Sequence, residues 1–240
     1  MKLIITEEQL RLIIESENKG RLLSLPTEMI DSPEKVEKIM ERYNEDKERR
    51  NFMGFNLIGS FYIGDNPELY DNRPFRELMK EVVSVRGDLI LDESSVSELP
   101  KLKYVDGILN LQETMTAELP SLVEVGKELN LNYTFIDELP LLEKVGWLYL
   151  SDNSITSIPK LREAKLIKGN YSEIRFLPSL VSVEEDLDLL QSMIDDLPKL
   201  KYVGGRLLLG RTPLGEKLKE MNLSDEEIKN KFGVNGHINI

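Results

Sequence analysis

The residues that could perform chemistry are few, and they do not form a recognisable site. The single histidine, His237, has no second metal ligand or nucleophile near it in the sequence, so we expect a surface residue. The pair Gly204-Gly205 is not followed by Lys-Ser or Lys-Thr, as a phosphate-binding loop requires. The acidic runs at 184–186 and 195–196 lack the ordered spacing of a calcium loop. We therefore predict no catalytic, cofactor-binding or metal-binding residue, and no enzyme.

Composition and charge narrow the class of partner. The 240 residues carry a formal net charge of -12, which disfavours nucleic acid, because gripping phosphates needs clustered Lys and Arg. We expect a protein partner with a basic or neutral surface. Without cysteine there can be no disulfide or zinc-thiolate site. The N-terminus lacks the apolar stretch of a signal peptide and no run is long enough for a membrane helix, so we expect no membrane contact and a cytoplasmic location.

An internal repeat dominates the rest of the chain. A Leu-Pro or Ile-Pro step recurs at intervals of 20, 20, 19, 19 and 20 residues, beginning at Leu99 and ending at Leu197. A small apolar residue follows each step, and then an alternating triplet such as Leu109-Asn110-Leu111. Alternation of this kind predicts a short strand with one buried face. A fixed period near 20 residues predicts stacked repeats that share one core.

The same pattern extends outward in both directions, to residues 57–63 and 85–91 upstream and to residues 234–240 downstream. The sequence therefore predicts an α/β repeat solenoid with a curved parallel sheet of about nine short strands. A polar residue lies three positions after each triplet, and we expect it to satisfy backbone groups where the chain turns. The repeat at 164–169 has alanine and glycine at apolar positions, which predicts looser packing or a bend there.

Helices are predicted at both ends and within the insertions. Thr6 and Gln9 predict the start of a helix over about 7–16, with Leu10, Ile13 and Ile14 on one face. Ser32-Pro33 predicts a second helix to about Arg49. We assign residues 1–54 to an N-terminal helical cap or docking segment and 55–240 to the solenoid, with insertions at 64–84 and 215–232. The second insertion is predicted to hold one C-terminal capping helix, which begins at a Ser224 and Glu227 capping box.

The outward positions of the predicted strands form the most informative surface. In neighbouring repeats these positions place Trp147 and Tyr149 beside Leu166 and Lys168, with Asp188 next in the row. A tryptophan and a tyrosine facing solvent have the composition of an interface hot spot. The competing interpretation is that a flanking helix or an insertion of the same chain covers Trp147. Solvent accessibility of the indole separates the two.

The repeat residues resemble those of the leucine-rich-repeat family. Residues 148–153, Leu-Tyr-Leu-Ser-Asp-Asn, are similar to its L-x-L-x-x-N core, although most repeats here have Ser or Thr in place of the asparagine. Residues 145–150 and 204–214 resemble more narrowly the short repeat proteins common in tailed bacteriophages and their bacterial hosts. The resemblance implies protein binding on the strand face and a phage origin, and it brings no catalytic residues.

Two functions remain open at this stage. The first is a non-enzymatic scaffold that binds a protein through its strand face. The second is a structural or accessory component of a virion or another large assembly, docked through the N-terminal helix by Leu10, Ile13 and Ile14. A phage-encoded chain is expected in the host cytoplasm or in the virion.

Overall fold

The computed structural model describes residues 22–240. Within that range the chain forms one open sheet of fifteen strands together with four helices. Neighbouring strands are parallel, and each chain segment between them crosses behind the sheet. This α/β architecture is consistent with a solenoid.

The strands and helices are numbered here in chain order. Their bounds are β1 Leu22–Pro26, β2 Gly54–Ile58, β3 Phe61–Tyr62, β4 Val82–Arg86, β5 Leu89–Ile90, β6 Tyr104–Val105, β7 Leu109–Asn110, β8 Glu124–Asn130, β9 Lys144–Tyr149, β10 Glu163–Lys168, β11 Ser182–Val183, β12 Leu187–Asp188, β13 Tyr202–Val203, β14 Leu207–Leu208 and β15 Ile238–Asn239. The helices are α1 Pro33–Arg50, α2 Arg73–Lys80, α3 Pro213–Glu220 and α4 Asp225–Phe232. Short 3-10 turns lie at Thr27–Met29, Ile63–Asp65 and Pro67–Leu69.

The sheet pairs residues that occupy equivalent positions in successive repeats. Leu109 pairs with Leu129, and Leu129 pairs with Leu148, so equivalent residues of successive repeats lie side by side. These leucines are fully buried. Their alternation with outward residues is what places one continuous apolar core behind the strands.

The predicted number of about nine strands is wrong, although each of the nine predicted repeats does contribute strand structure. Five of the repeats form two short strands instead of one, as β6 and β7 do on either side of residues 106–108. Near such a step the neighbouring backbones approach closely: a Cβ on Gly107 would overlap the Asp88 carboxylate. Glycine allows this close approach, because it has no Cβ.

Strand β1 lies in the segment that the sequence analysis assigned to the N-terminal cap. It pairs with β2 along its whole length, from Leu22 opposite Gly54 to Pro26 opposite Ile58. Leu23 and Leu25 are buried and alternate with half-buried neighbours. The segment contains Leu23-Ser24-Leu25 and Leu25-Pro26, but here the Leu-Pro step overlaps the triplet instead of preceding it, so the repeat pattern did not reveal the strand.

A row of buried polar side chains closes each turn out of the strands. Its members are Ser94, Thr114, Thr134, Asn153, Ser172, Ser192 and Thr212. The Thr114 hydroxyl donates to the Leu111 carbonyl at 2.8 Å, and Thr134 donates to the Leu131 carbonyl at the same distance. The row therefore satisfies backbone groups as predicted, because a buried carbonyl without a partner is costly.

The residue before each member of this row has a positive φ. These residues are Glu93, Glu113, Tyr133, Asp152, Tyr171, Gln191 and Arg211. Such a backbone usually selects glycine or asparagine, and none of the seven is either. The polar row predicted a turn here, but the types of these seven residues do not predict its left-handed backbone. The side-chain to backbone bonds of the following polar residue hold the turn in place.

The second insertion holds two helices, α3 and α4, so the prediction of a single capping helix is wrong. The missed helix begins where Thr212 accepts a hydrogen bond from the Gly215 N–H at 2.9 Å and Pro213 occupies the first turn. Thr212 also belongs to the polar row, which obscured its second role. The predicted capping box of α4 is present: Ser224 accepts from the Glu227 N–H, and Glu227 accepts from the Ser224 N–H.

Helix α1 packs its single apolar stripe onto the first strands. Val36, Ile39, Met40 and Tyr43 are all buried, as the narrow stripe predicted. The Tyr43 ring lies 4.6 Å from the Phe55 ring, centroid to centroid. The helix thus covers the N-terminal end of the sheet and its core.

The carboxylate of Glu81, at the end of α2, links α1 to the sheet through hydrogen bonds and ion pairs. It accepts a hydrogen bond from the Tyr43 hydroxyl at 2.8 Å, and Lys47 lies 2.7 Å from it. Lys101 forms a second ion pair with the same carboxylate. Burial raises the pKa of Glu81, but the three donors outweigh it, so its pKa lies below the usual value.

The prediction for residues 164–169 was looser packing or a bend, and looser packing is not observed. Ala164 is almost fully buried and Ile167 is fully buried. Side chains of the same and the next repeat compensate for the missing one: a Cβ on Gly169 would lie 3.1 Å from Leu189 Cδ2 and 3.9 Å from Ile174 Cγ2. The gap is filled, so packing density is maintained.

Candidate interaction surface

The strand register brings the predicted site residues of the sheet together. Trp147 pairs with Leu166, Tyr149 pairs with Lys168, and Lys168 pairs with Asp188. We refer to Trp147, Tyr149, Leu166, Lys168 and Asp188 as the strand-face patch. The other predicted contact residues, Leu10, Ile13 and Ile14, lie outside the described residues.

Trp147 is exposed within the described part of the chain. The residue keeps 42% of its accessible surface, Lys168 is exposed, and Tyr149 is half-buried. Helix α1 was a candidate cover for this patch, but its ring contacts are with Phe52 and Phe55 beside β2. Among residues 22–240, therefore, no helix shields the indole.

The aromatic and charged members of the patch already interact with one another. The Lys168 Nζ lies 5.6 Å from the centroid of the Tyr149 ring, within the range of a cation–π contact. Burial first, and then the negative charges of Glu128 and Glu185, raises the pKa of Tyr149. The phenol is thus a neutral hydrogen-bonding group beside an ammonium, and the patch offers both apolar area and polar contacts.

The outward row that contains Trp147 also contains three acidic residues, and two of them have partners. Asp88 accepts a hydrogen bond from the Ile108 N–H at 2.9 Å and another from the Tyr62 hydroxyl at 3.0 Å, and Lys127 lies 3.5 Å away. Burial opposes these contacts, yet the pKa of Asp88 lies below its usual value. The carboxylate is therefore fully engaged.

Asp186 is engaged in the same way by the next repeat. The Arg206 side chain donates to Asp186 at 2.7 and 3.0 Å, and the Arg206 N–H donates at 2.7 Å. The side-chain hydrogen bonds of Arg206 are the main reason why the pKa of Asp186 is lowered. In both cases the acid of one repeat is neutralised by donors that include the N–H at the same row position of the following repeat.

Glu128 is the third acid of the row, and it differs from the other two. It pairs with Trp147 on one side, and this residue carries no positive charge. On the other side lies Ile108, because Ile108 and Glu128 directly precede the paired residues Leu109 and Leu129. The carboxylate thus lies between two apolar neighbours and is half-buried. Its pKa is raised by burial alone. Within residues 22–240 no cation or hydrogen-bond donor compensates its charge.

Sequence reasoning placed Glu128 in the outward row but did not single it out. The available signal was its position between Ile108 and Trp147, two apolar residues that flank it one repeat away on either side. The ion-pair partners of Asp88 and Asp186 could not be assigned from spacing, since long side chains reach several neighbours.

A second exposed apolar group lies on the turn edge of the sheet. Met115, Tyr133 and Phe135 keep 62%, 54% and 61% of their accessible surface. Met115 and Phe135 directly follow Thr114 and Thr134 of the polar row, so they occupy equivalent positions in adjacent repeats. Exposed apolar groups of this kind mark contact surfaces, and this one competes with the strand-face patch.

Other features of the described residues offer little chemistry. His237 is exposed immediately before β15, and no group of three or more His, Asp or Glu side chains within residues 22–240 is placed to hold a metal ion. A pocket of about 300 Å³ lies at the C-terminal end of the sheet, lined by Leu190, Gln191, Gly210, Arg211, Lys219, Asn239 and Ile240. It contains none of the predicted site residues. No helix of the described chain is long and apolar enough to cross a membrane.

Comparison of the chain with protein-family models, curated proteins and solved structures finds no similar protein.

Proposed function

We propose that this chain is a leucine-rich-repeat scaffold that binds a protein partner through the strand-face patch and performs no catalysis. The observation that carries the proposal is the exposure of Trp147 at the centre of the sheet, beside Tyr149 and Leu166. Rigid aromatic side chains on a regular sheet lose little entropy on binding and dominate many interfaces. The leucine-rich-repeat resemblance supports the same face.

The contrast between the buried and the exposed face of the sheet also supports binding through the exposed face. Successive leucines such as Leu129 and Leu148 are interchangeable in position and fully buried. The outward positions next to them change from Glu128 to Trp147. A repeated interior with a varied exterior is the usual design of a repeat protein that recognises another protein.

The proposal is tested by affinity capture with matched variants. The resemblance to phage repeat proteins selects two sources, a lysate of the bacterial host and purified virions. We expect Trp147→Ala to weaken capture of the recovered protein by about 30-fold, since a hot-spot aromatic contributes about 2 kcal/mol. Phe135→Ala removes an exposed aromatic ring from the turn edge and is expected to leave capture unchanged.

Two results would contradict the proposal. Loss of capture with Phe135→Ala but not with Trp147→Ala would move the contact to the turn edge. Recovery from virions alone, abolished by deletion of residues 1–20 and insensitive to Trp147→Ala, would instead support the second candidate function, an assembly component docked through the N-terminal segment.

A further inference from the structure

Glu128 is a half-buried acidic group at the edge of the strand-face patch. Asp88 and Asp186 occupy the same outward row, and each is neutralised by donors from within the chain. Glu128 has neither a cation nor a donor among residues 22–240, although it is half-buried. A partly desolvated carboxylate without a partner is unfavourable, and folding does not explain its presence.

The residues around Glu128 determine what kind of partner group could compensate its charge. Ile108 and Trp147 lie on either side in adjacent repeats, so the carboxylate sits between an aliphatic and an aromatic side chain. Lys127 is adjacent in sequence, but its Nζ is within 3.5 Å of Asp88. Lys168 is two repeats away from Glu128 and lies against the Tyr149 ring. Both of these basic side chains therefore contact groups other than Glu128.

We propose that Glu128 is the specificity residue of the strand face and receives an arginine or lysine side chain of the partner protein, with the stem of that side chain packed between Ile108 and Trp147. This inference rests on the proposed function. The long aliphatic part of either residue matches the apolar walls, and the cationic head matches the carboxylate. Trp147 adds a ring face that attracts a cation.

Charge complementarity favours a basic partner over other occupants. The chain carries a formal net charge of -12, so a second copy would bring a like-charged surface to the same face. Glu185 adds negative charge near the Tyr149 ring. A partner segment with exposed Arg or Lys would be attracted at long range and compensated on contact.

The sole tryptophan makes a direct test possible, because Trp147 lies at the proposed contact. Three capped pentapeptides serve as probes, each with a central arginine, lysine or citrulline between alanines. Citrulline keeps the shape of arginine but carries no charge. We expect saturable changes of Trp147 fluorescence with the arginine and lysine peptides and none with the citrulline peptide.

Two glutamine variants test whether Glu128 is the residue that binds the arginine peptide. Glu128→Gln is expected to weaken binding of the arginine peptide by about tenfold, the size expected for loss of a charge-assisted hydrogen bond. Glu118→Gln changes the net charge equally at an exposed position in a separate ladder of bridges, beside Glu98, and should leave binding unchanged. Thermal unfolding of both variants confirms that each is folded.

Several outcomes would overturn the inference. These are absence of saturable binding, equal binding of the citrulline peptide, or equal affinity of wild type and Glu128→Gln. Concentration-dependent self-association in sedimentation that is lost in Glu128→Gln would assign the site to a second copy. If a partner is captured in a Trp147-dependent manner but is indifferent to Glu128→Gln, only this inference fails and the proposed function stands.

Discussion

Two half-buried glutamates show how the two regions of this molecule differ. Glu81, where α1 meets the sheet, is held by the Tyr43 hydroxyl and by the ammonium groups of Lys47 and Lys101. Glu128, on the strand face, lies between the apolar residues Ile108 and Trp147 of the outward row. The pKa of the first lies below its usual value and that of the second lies above it. The first charge stabilises the fold, and the second is left available for another molecule.

The largest expected effect is the loss of the Glu81 charge. Glu81→Gln leaves the two lysines without their common carboxylate at a site where only 16% of the glutamate side chain is exposed. We expect the free energy of unfolding to fall by about 2 kcal/mol, between the values for exposed and fully buried pairs. Urea unfolding followed by circular dichroism measures it. A change as small as that of Glu118→Gln would show that the network is not structural.

Acidification should remove the same stabilisation. Because the pKa of folded Glu81 is depressed, its contribution is present above the ordinary value of 4.5 and is lost as the pH falls through the folded value. The stability difference between wild type and Glu81→Gln should therefore shrink as the pH falls below about 4.5. A difference that stays constant or widens would reverse the assigned sign. Unfolding curves collected across this pH range give the result.

A smaller loss is expected from Tyr43→Phe. The hydroxyl donates to Glu81, and burial together with that carboxylate raises the pKa of Tyr43, which keeps the phenol protonated. Its removal deletes one of three donors while the ring keeps its contact with Phe55. We expect a loss of about 1 kcal/mol, typical of one hydrogen bond. Urea denaturation measures it, and the effect should be smaller in the Glu81→Gln background if the two groups act together, because an amide oxygen is a weaker acceptor than a carboxylate.

The smallest effect on stability is expected at the strand face. Glu128→Gln replaces an uncompensated carboxylate, so the free energy of unfolding at neutral pH should stay within about 0.5 kcal/mol of wild type or rise slightly. The pH dependence should have the opposite sign to that of Glu81. Because the pKa of Glu128 is raised in the folded protein, its charge disfavours folding at high pH. The free energy of unfolding of wild type should therefore rise relative to that of Glu128→Gln as the pH falls. A clear loss of stability at neutral pH would reveal a structural partner.

The interior of this fold could be predicted from the sequence, because burial repeats with the period of the chain. The spacing of Leu109, Leu129 and Leu148 predicted their alignment, and the structure places them side by side. The polar row from Ser94 to Thr212 was predicted for the same reason. A stacked core needs equivalent residues at equivalent positions, and periodicity is visible in one sequence.

The features that break the period could not be predicted in the same way. Strand β1 shares the sheet without sharing the repeat, and Glu81 meets Tyr43 and Lys101 from distant parts of the chain. The positive φ at Tyr133 and its equivalents depends on bonds made by the following residue. The exposure of Trp147 depended on where α1 packs, which spacing alone does not determine.

The most direct test of the contrast between the two regions is a carboxyl-carbon NMR titration of the glutamates, recorded without and with the arginine peptide. In the free protein the pKa of Glu81 should lie below the ordinary value of 4.5 and that of Glu128 above it. Addition of the peptide should lower the pKa of Glu128 and leave that of Glu81 unchanged, because only Glu128 gains a cation. A Glu128 carboxyl that already titrates below 4.5 in the free protein, or one that does not respond to a bound peptide, would contradict the account.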